Sequence, residues 1–163
     1  MVSPSERETA QATAQETAQE TAQALAERSA KVMWSGDAAS RSLGMSLDAV
    51  APGRAVVSMT VRPDMVNGWD VCHGGLIASL ADSAFAVACN SRGQVTVASG
   101  FDVSFLESGR LGDVLVATAE ERALRGRSGL YDVTVVRGGA AGDGTVIAEF
   151  RGRSRSLGRA IEG

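Results

Sequence analysis

Histidine occurs once in the 163 residues, as His73, cysteine twice, as Cys72 and Cys89, and proline three times. A single histidine excludes a metal site built on several of them, and no Cys/His spacing fits zinc. Two cysteines are too few for a disulfide scaffold; they read as reduced fillers in the core of a cytoplasmic protein. Basic charge is not in surplus. The chain has 16 Lys and Arg against 19 Asp and Glu, a net charge of −3, which argues against a general nucleic-acid binder. Long hydrophobic runs are missing as well: the nearest, Leu76 to Cys89, is too short and too interrupted to span a membrane. Glu6, Arg7 and Glu8 stand where a signal peptide would build its apolar segment, so no leader is expected.

What remains is an ordinary globular composition, 44% hydrophobic and 21% charged. The length allows one domain with a real core. Residues 9–23 form a low-complexity tract in which Thr-Ala-Gln recurs with a period of four. Alanine, glutamine and glutamate favour helix, but the first bulky apolar side chain after the tract is Leu25. The tract is therefore expected to be disordered or a marginal, solvated helix, and dispensable. The chain divides accordingly into an extension, 1–30, a folded domain, 31–158, and a tail, 159–163.

Within the domain, Lys31 to Leu47 reads as a short amphipathic helix and a loop, and Pro52-Gly53 as a turn. Residues 54–61 alternate with period two, a strand. An irregular loop follows from Met65 to Gly75. Leu76 to Asn90 has helical length and is apolar almost all round, so it belongs at the centre of the fold. After Gly93 the period returns to two in residues 95–105, 114–124, 130–137 and 145–156, with short turns between. The glycine-rich stretch Gly138 to Gly144 ends in Asp143-Gly144, a hairpin signal. Strands in consecutive hairpins imply an antiparallel sheet with the one helix packed on its face, an α+β fold.

Four residues break the apolar helix: Ser79, Asp82, Ser83 and Asn90. At about 100° per residue they fall on one arc near Ala86, and Asp82 is the only charge among them. An ionised carboxylate on an apolar helix is costly unless it is paired or lies in a wet cleft. No Lys or Arg lies within a helical turn of Asp82. At the other end, Gly74 and Gly75 open the helix, where backbone N–H groups lack intrahelical partners and the macrodipole is positive.

Asn67-Gly68, Cys72-His73-Gly74-Gly75, Leu80-Ala81-Asp82-Ser83-Ala84-Phe85-Ala86 and Ala88-Cys89-Asn90 together resemble the core motif of the PaaI-type acyl-CoA thioesterases of phenylacetate degradation. Phe105-Leu106-Glu107, residues 112–117 and residues 129–133 are similar to that family too, and the likeness runs from about Gly53 to Gly158. The resemblance implies the hotdog fold, a five-stranded antiparallel sheet wrapped around one long central helix, here with an N-terminal helical extension. It implies hydrolysis of a CoA thioester, phenylacetyl-CoA or hydroxyphenylacetyl-CoA. It also implies a homo-oligomer, a dimer with shared active sites or a tetramer of such dimers. No metal, organic cofactor, nucleic acid or membrane is called for, since CoA is part of the substrate.

Carried onto this chain, the resemblance makes the Gly74 amide the oxyanion donor, and Asn67 a residue that holds the thioester or the water. Asp82 is then the nucleophile or the general base. His73 is expected to orient the site by donating a hydrogen bond. A Cys72/His73 nucleophile pair is disfavoured, because adjacent residues point apart and a third member is absent. Gly75, Ser83 and Asn90 are candidate substrate contacts. The turn Gly126-Arg127-Ser128 is where the family places CoA, and Arg92, Arg125, Arg151, Arg153 and Arg155 are further candidates for its phosphates or for a solvated edge. Eight residues of helix separate Gly74 from Asp82, about 12 Å. Both cannot reach one carbonyl group, whose reacting atoms must lie within about 3.5 Å. If both act, they act from different chains. Two other activities share the fold. A hydratase or dehydratase would use a differently placed histidine, and a non-catalytic acyl-CoA-binding regulatory module is expected to lack the acid.

Overall fold

The chain opens with helix α1 (Pro4–Gly36) and the short α2 (Ala38–Ser42), followed by strands β1 (Met45–Ala51) and β2 (Arg54–Thr60). A 3-10 turn at Pro63–Met65 and a loop lead to helix α3 (Gly74–Asn90). Four strands complete it: β3 (Gln94–Phe105), β4 (Val114–Arg125), β5 (Ser128–Gly138) and β6 (Val146–Ala160). The structure is a computed structural model that describes residues 4–139 and 142–162. The first three residues of the extension, Ala140 and Ala141 of the glycine-rich stretch, and Gly163 of the tail lie outside the described residues.

The strands form one sheet in the order β1-β2-β4-β5-β6-β3, with every neighbouring pair antiparallel. Helix α3 lies on its face, as the apolar pattern requires. Leu80, Ala81, Ala84, Phe85, Val87 and Ala88 are buried in one core with Val57, Leu115, Ala117, Val133, Val135 and Ile147. Alanine dominates this helix and lets it sit close to the strands. Phe85 is its one large anchor, with ring centroids 5.4 Å from Tyr131 and 5.8 Å from Phe150. Gly152 of β6 makes room for it, since a Cβ there would stand 2.9 Å from the Phe85 ring. This is the hotdog arrangement.

Three expectations change. The sheet has six strands, because Met45–Ala51 forms β1 where a loop was expected. Its residues Ser46, Asp48 and Ala49 are weak strand formers. It holds its place as an edge strand whose alternation is broken by a bulge between Leu47 and Ala49. Second, α1 runs through residue 30 without a break, so that position is no boundary. Ala26, Ser29 and Ala30 are buried against the domain, and the Gln23 amide donates to the Val50 carbonyl at 2.9 Å. Small side chains make this contact, so no bulky apolar residue announces it. Third, β6 continues to Ala160, which pairs with Gln94, and the Ile161 N–H donates to the Gly93 carbonyl. Most of the expected tail belongs to the sheet.

Candidate active site

His73 is the N-cap of α3, and the loop before it fixes its place: Val66 bridges Cys72, and the His73 N–H donates to the Met65 carbonyl. The imidazole Nδ1 accepts from the Gly75 N–H at 3.4 Å, and the His73 carbonyl accepts from the N–H groups of Leu76 and Ile77. His73 therefore caps the helix at Nδ1, where it engages the Gly75 amide, and its Nε2–H is the atom left for the orienting donation expected of it. The Gly74 N–H, at the positive end of the helix, is left without a partner among the described residues. The ring of Phe105, at the end of β3, lies over Gly74; a Cβ at residue 74 would meet it at 3.0 Å.

Asp82 lies a little over two turns along α3, about 12 Å from Gly74. It is half-buried and has no hydrogen-bond or ion-pair partner among the described residues. Burial alone pushes its carboxyl above the usual carboxylate range. It lines a cavity of about 340 Å³ between α3 and β3, with Phe85, Ala86, Val95 and Val97 and with Met33 from α1. An unpaired carboxylate with a raised pKa beside an apolar cavity has the properties of a base or nucleophile held ready for substrate.

The other residues of the polar arc are engaged elsewhere. The Ser83 hydroxyl lies 2.9 Å from that of Ser40 in α2, which in turn donates to Asp37 at 2.7 Å. Asn90 is buried. Its amide nitrogen donates to the carbonyls of Ala86 and Thr96, and its oxygen accepts from the Thr96 N–H. It fastens the end of α3 to the start of β3, so both its donors are spent within the fold. Asn67 shapes its own loop: its side-chain oxygen accepts from the Trp69 N–H at 2.9 Å. The tight turn leaves Asp70 at φ +58. Ser83, Asn90 and the Asn67 oxygen thus have intramolecular partners where substrate contacts were expected.

Gly126, at φ +57, and Arg127 form the β4–β5 turn. Arg127 donates to the Ser156 carbonyl, and Ser128 accepts from Arg155. The arginines separate into two groups. Arg92, Arg151 and Arg153 are ion-paired with Glu121, Asp132 and Asp102. Arg125, Arg127 and Arg155, around the turn, have no carboxylate partner among the described residues. Both cysteines are free and buried. Burial pushes both thiols up, that of Cys89 to about 12, so neither is a ready nucleophile. Among the described residues, no group of three or more His, Cys, Asp or Glu could hold a metal ion. No described helix is long and apolar enough to cross a membrane.

Three residues near the site carried no site signal in the sequence: Met33, Ser40 and Phe105. Each reaches α3 from a distant part of the chain. Phe105 alone stood in a recognised motif, where alternation marked it only as one face of a strand.

Residues 70–141 match the family model described as the thioesterase superfamily. The chain is 42% identical to the acyl-coenzyme A thioesterase PaaI of Escherichia coli over 136 residues, 83% of this chain and 94% of that protein. The structure of the E. coli PaaI protein from the phenylacetic acid degradation operon superposes with a TM-score of 0.82 at 41% identity, covering 86% of this chain and 99% of that one. The TT0310 protein of Thermus thermophilus matches with a TM-score of 0.67 at 36% identity, over 72% of this chain and 96% of that one. With its capped helix, its central carboxylate and these relatives, the chain belongs to the hotdog-fold thioesterase superfamily, among the PaaI-type proteins.

Proposed function

We propose that the protein is an acyl-CoA thioesterase that hydrolyses an arylacetyl-CoA, phenylacetyl-CoA or hydroxyphenylacetyl-CoA, at a site shared between two copies of the chain. One observation carries this reading: two unengaged groups stand on the same helix, the Asp82 carboxylate and the Gly74 N–H. About 12 Å of helix keeps them from acting on one carbonyl within a chain. A two-fold that sets two α3 helices side by side and antiparallel brings Gly74 of one copy to Asp82 of the partner subunit, twice over.

β3 supplies an interface for that pairing. It is a twelve-residue strand at the edge of the sheet. Its apolar side chains stand exposed, Val97 at 44%, Phe101 at 42% and Phe105 at 50%. A long apolar edge of this kind is a template for a second strand. Joining two copies through β3 covers it and forms the dimer, from which a tetramer is built.

In the proposed reaction the Gly74 amide and the helix dipole stabilise negative charge on the thioester oxygen as its carbon becomes tetrahedral. Asp82 either takes a proton from the attacking water, or attacks the carbon itself to form an anhydride that water then hydrolyses, that water supplying the proton; its raised pKa strengthens it in either role. The C–S bond breaks, CoA leaves as the thiolate and takes up the proton, and the arylacetate is released. Arg125, Arg127 and Arg155, free of carboxylates among the described residues, suit the CoA phosphates. Two free, buried thiols suit a reducing cytoplasm.

Thiol release from acetyl-, hexanoyl-, phenylacetyl- and hydroxyphenylacetyl-CoA tests the reading. The arylacetyl esters are expected to turn over with the highest kcat/KM. Absence of enzymatic thiol release from all four contradicts it.

A further inference from the structure

The loop that delivers His73 and Gly74 to the site is held from outside at one place. The Cys72 N–H donates to the Gly109 carbonyl at 2.7 Å, and Val71 bridges Arg110. Among the described residues, every other hydrogen bond of residues 66–72 stays between Met65 and His73. Gly109 is in turn gripped on both sides. The carbonyl of Ser108, before it, accepts from Arg137 Nη2 at 3.0 Å. The N–H of Arg110, after it, donates to Asp113 Oδ2 at 2.8 Å. That N–H belongs to the same planar peptide unit as the Gly109 carbonyl, so fixing one end aims the other. Arg137 Nε donates to the same Asp113 oxygen at 3.0 Å, and Arg137 Nη1 donates to Asp143. The Arg137–Asp113 pair is sheltered, with 21% and 20% of the two side chains exposed, so it is worth more than a surface ion pair. Gly109 itself has little room for a side chain: a Cβ there would stand 3.3 Å from Leu115 and 3.4 Å from the Cys72 Cβ.

We propose that Arg137 and Asp113 are positioning residues of the thioesterase: through the Gly109–Arg110 peptide they set where the Cys72-His73-Gly74 segment lies, and so aim the Gly74 N–H at the thioester oxygen. The inference rests on the thioesterase reading and deepens it. An oxyanion donor works when it stands about 2.7–3.1 Å from the place where charge develops. Cys72 is two residues from Gly74, so a shift of the Gly109 carbonyl passes to the amide with little chain to absorb it. A misplacement of about 1 Å can cost about a hundredfold in rate. Arginine suits the task because its planar fork holds a carboxylate oxygen and a carbonyl at once, which a lysine ammonium does less rigidly. Neither residue lines the cavity beside Asp82, so the effect falls on the transition state and not on binding.

The test follows kcat, KM and the loop itself. The chain has two tryptophans, and Trp69 stands 85% exposed in this loop. In a Trp34→Phe background its fluorescence anisotropy reports the motion of the loop. With phenylacetyl-CoA, Arg137→Met should lower kcat about thirtyfold, leave KM within about twofold and lower the Trp69 anisotropy. Arg137→Lys should recover part of both losses. Asp113→Asn, which keeps an oxygen for the Arg110 N–H, should lose less than Asp113→Ala. These conservative variants keep the test decisive if circular dichroism shows that Arg137→Met does not fold. Unchanged kcat in the folded variants overturns the inference. So does a fall in kcat with unchanged Trp69 anisotropy, or a fall in kcat/KM carried by KM. In each of these cases wild-type turnover leaves the thioesterase reading standing. A wild type that releases no thiol from any arylacetyl-CoA overturns both.

Discussion

Gly74 and Asp82 stand eight residues apart on α3, about 12 Å along its axis, and neither functional group has a partner among the described residues. A helix that spends almost every other polar group on its own fold keeps these two free. The arrangement makes sense when each is completed by the other's counterpart in a second copy.

Asp82→Asn should lower kcat by about 10³-fold without unfolding the protein. Burial raises the folded-state pKa of Asp82 above its unfolded value of about 3.9. The stability tied to this group is therefore full below the unfolded pKa and is lost as pH rises through the folded one. Asn removes that loss. At pH 7 the Tm of Asp82→Asn should equal or exceed that of the wild type, and near pH 3 any gain should vanish. A Tm several degrees lower at pH 7 would mean that the carboxylate is structural.

Asn90→Ala should do the reverse. It removes three hydrogen bonds to part-buried backbone, two of which hold both the N–H and the carbonyl of Thr96 at the start of β3. A cost of about 3 kcal/mol is expected, roughly 6–12 °C in Tm. Thermal unfolding followed by circular dichroism checks it; a Tm within a degree or two of the wild type would remove the clamp.

These two residues show where the sequence was legible and where it was not. Periodicity placed both on one arc of α3, and that arc is the partly accessible side of the helix. Pattern alone cannot tell a polar group with partners from one without, because the partners come from elsewhere: Thr96 for Asn90, Ser40 for Ser83. The helix and the five strands from β2 onward were plain, because hairpin turns and strict alternation are local signals. β1 was missed because an edge strand with serine, aspartate and a bulge has little alternation to show. The docking of α1 was missed because Ala26, Ser29 and Ala30 bury almost no bulk. Gly74 was recognised, but the ring of Phe105 above it is a contact across about thirty residues that no motif encodes.

Shortening the chain separates the two parts of α1. A chain beginning at Gln19 should keep its Tm, since residues 14–20 are exposed. One beginning at Lys31 loses Ala26, Ser29, Ala30 and the packing of Leu25 against Gly93. It should be less stable by about 2 kcal/mol or more, some 5 °C in Tm. Equal melting of the two chains would contradict the docked helix.

The turn arginines should act on the CoA moiety alone. Replacing Arg125, Arg127 and Arg155 together by Ala should raise KM for the CoA ester about tenfold and flatten its salt dependence. The matching N-acetylcysteamine thioester, which has no phosphates, should be used as before. If KM for both substrates rises equally, the arginines do not bind phosphate.

The shared site is tested most directly by mixing two inactive chains. Gly74→Pro deletes the amide donor, and proline is tolerated at the first position of a helix. His73, at ψ 126, already has the extended backbone that a residue before proline needs. Phe105 must swing aside, and circular dichroism must show a native fold for the variant. Asp82→Ala deletes the carboxylate. In a mixed dimer one site carries both lesions, while the other takes its carboxylate from the Gly74→Pro chain and its amide from the Asp82→Ala chain. Purified heterodimers should therefore regain about half the wild-type kcat per dimer, from homo-oligomers that are each inactive. Folded heterodimers as inactive as their parents would contradict the shared site and the roles given to Gly74 and Asp82.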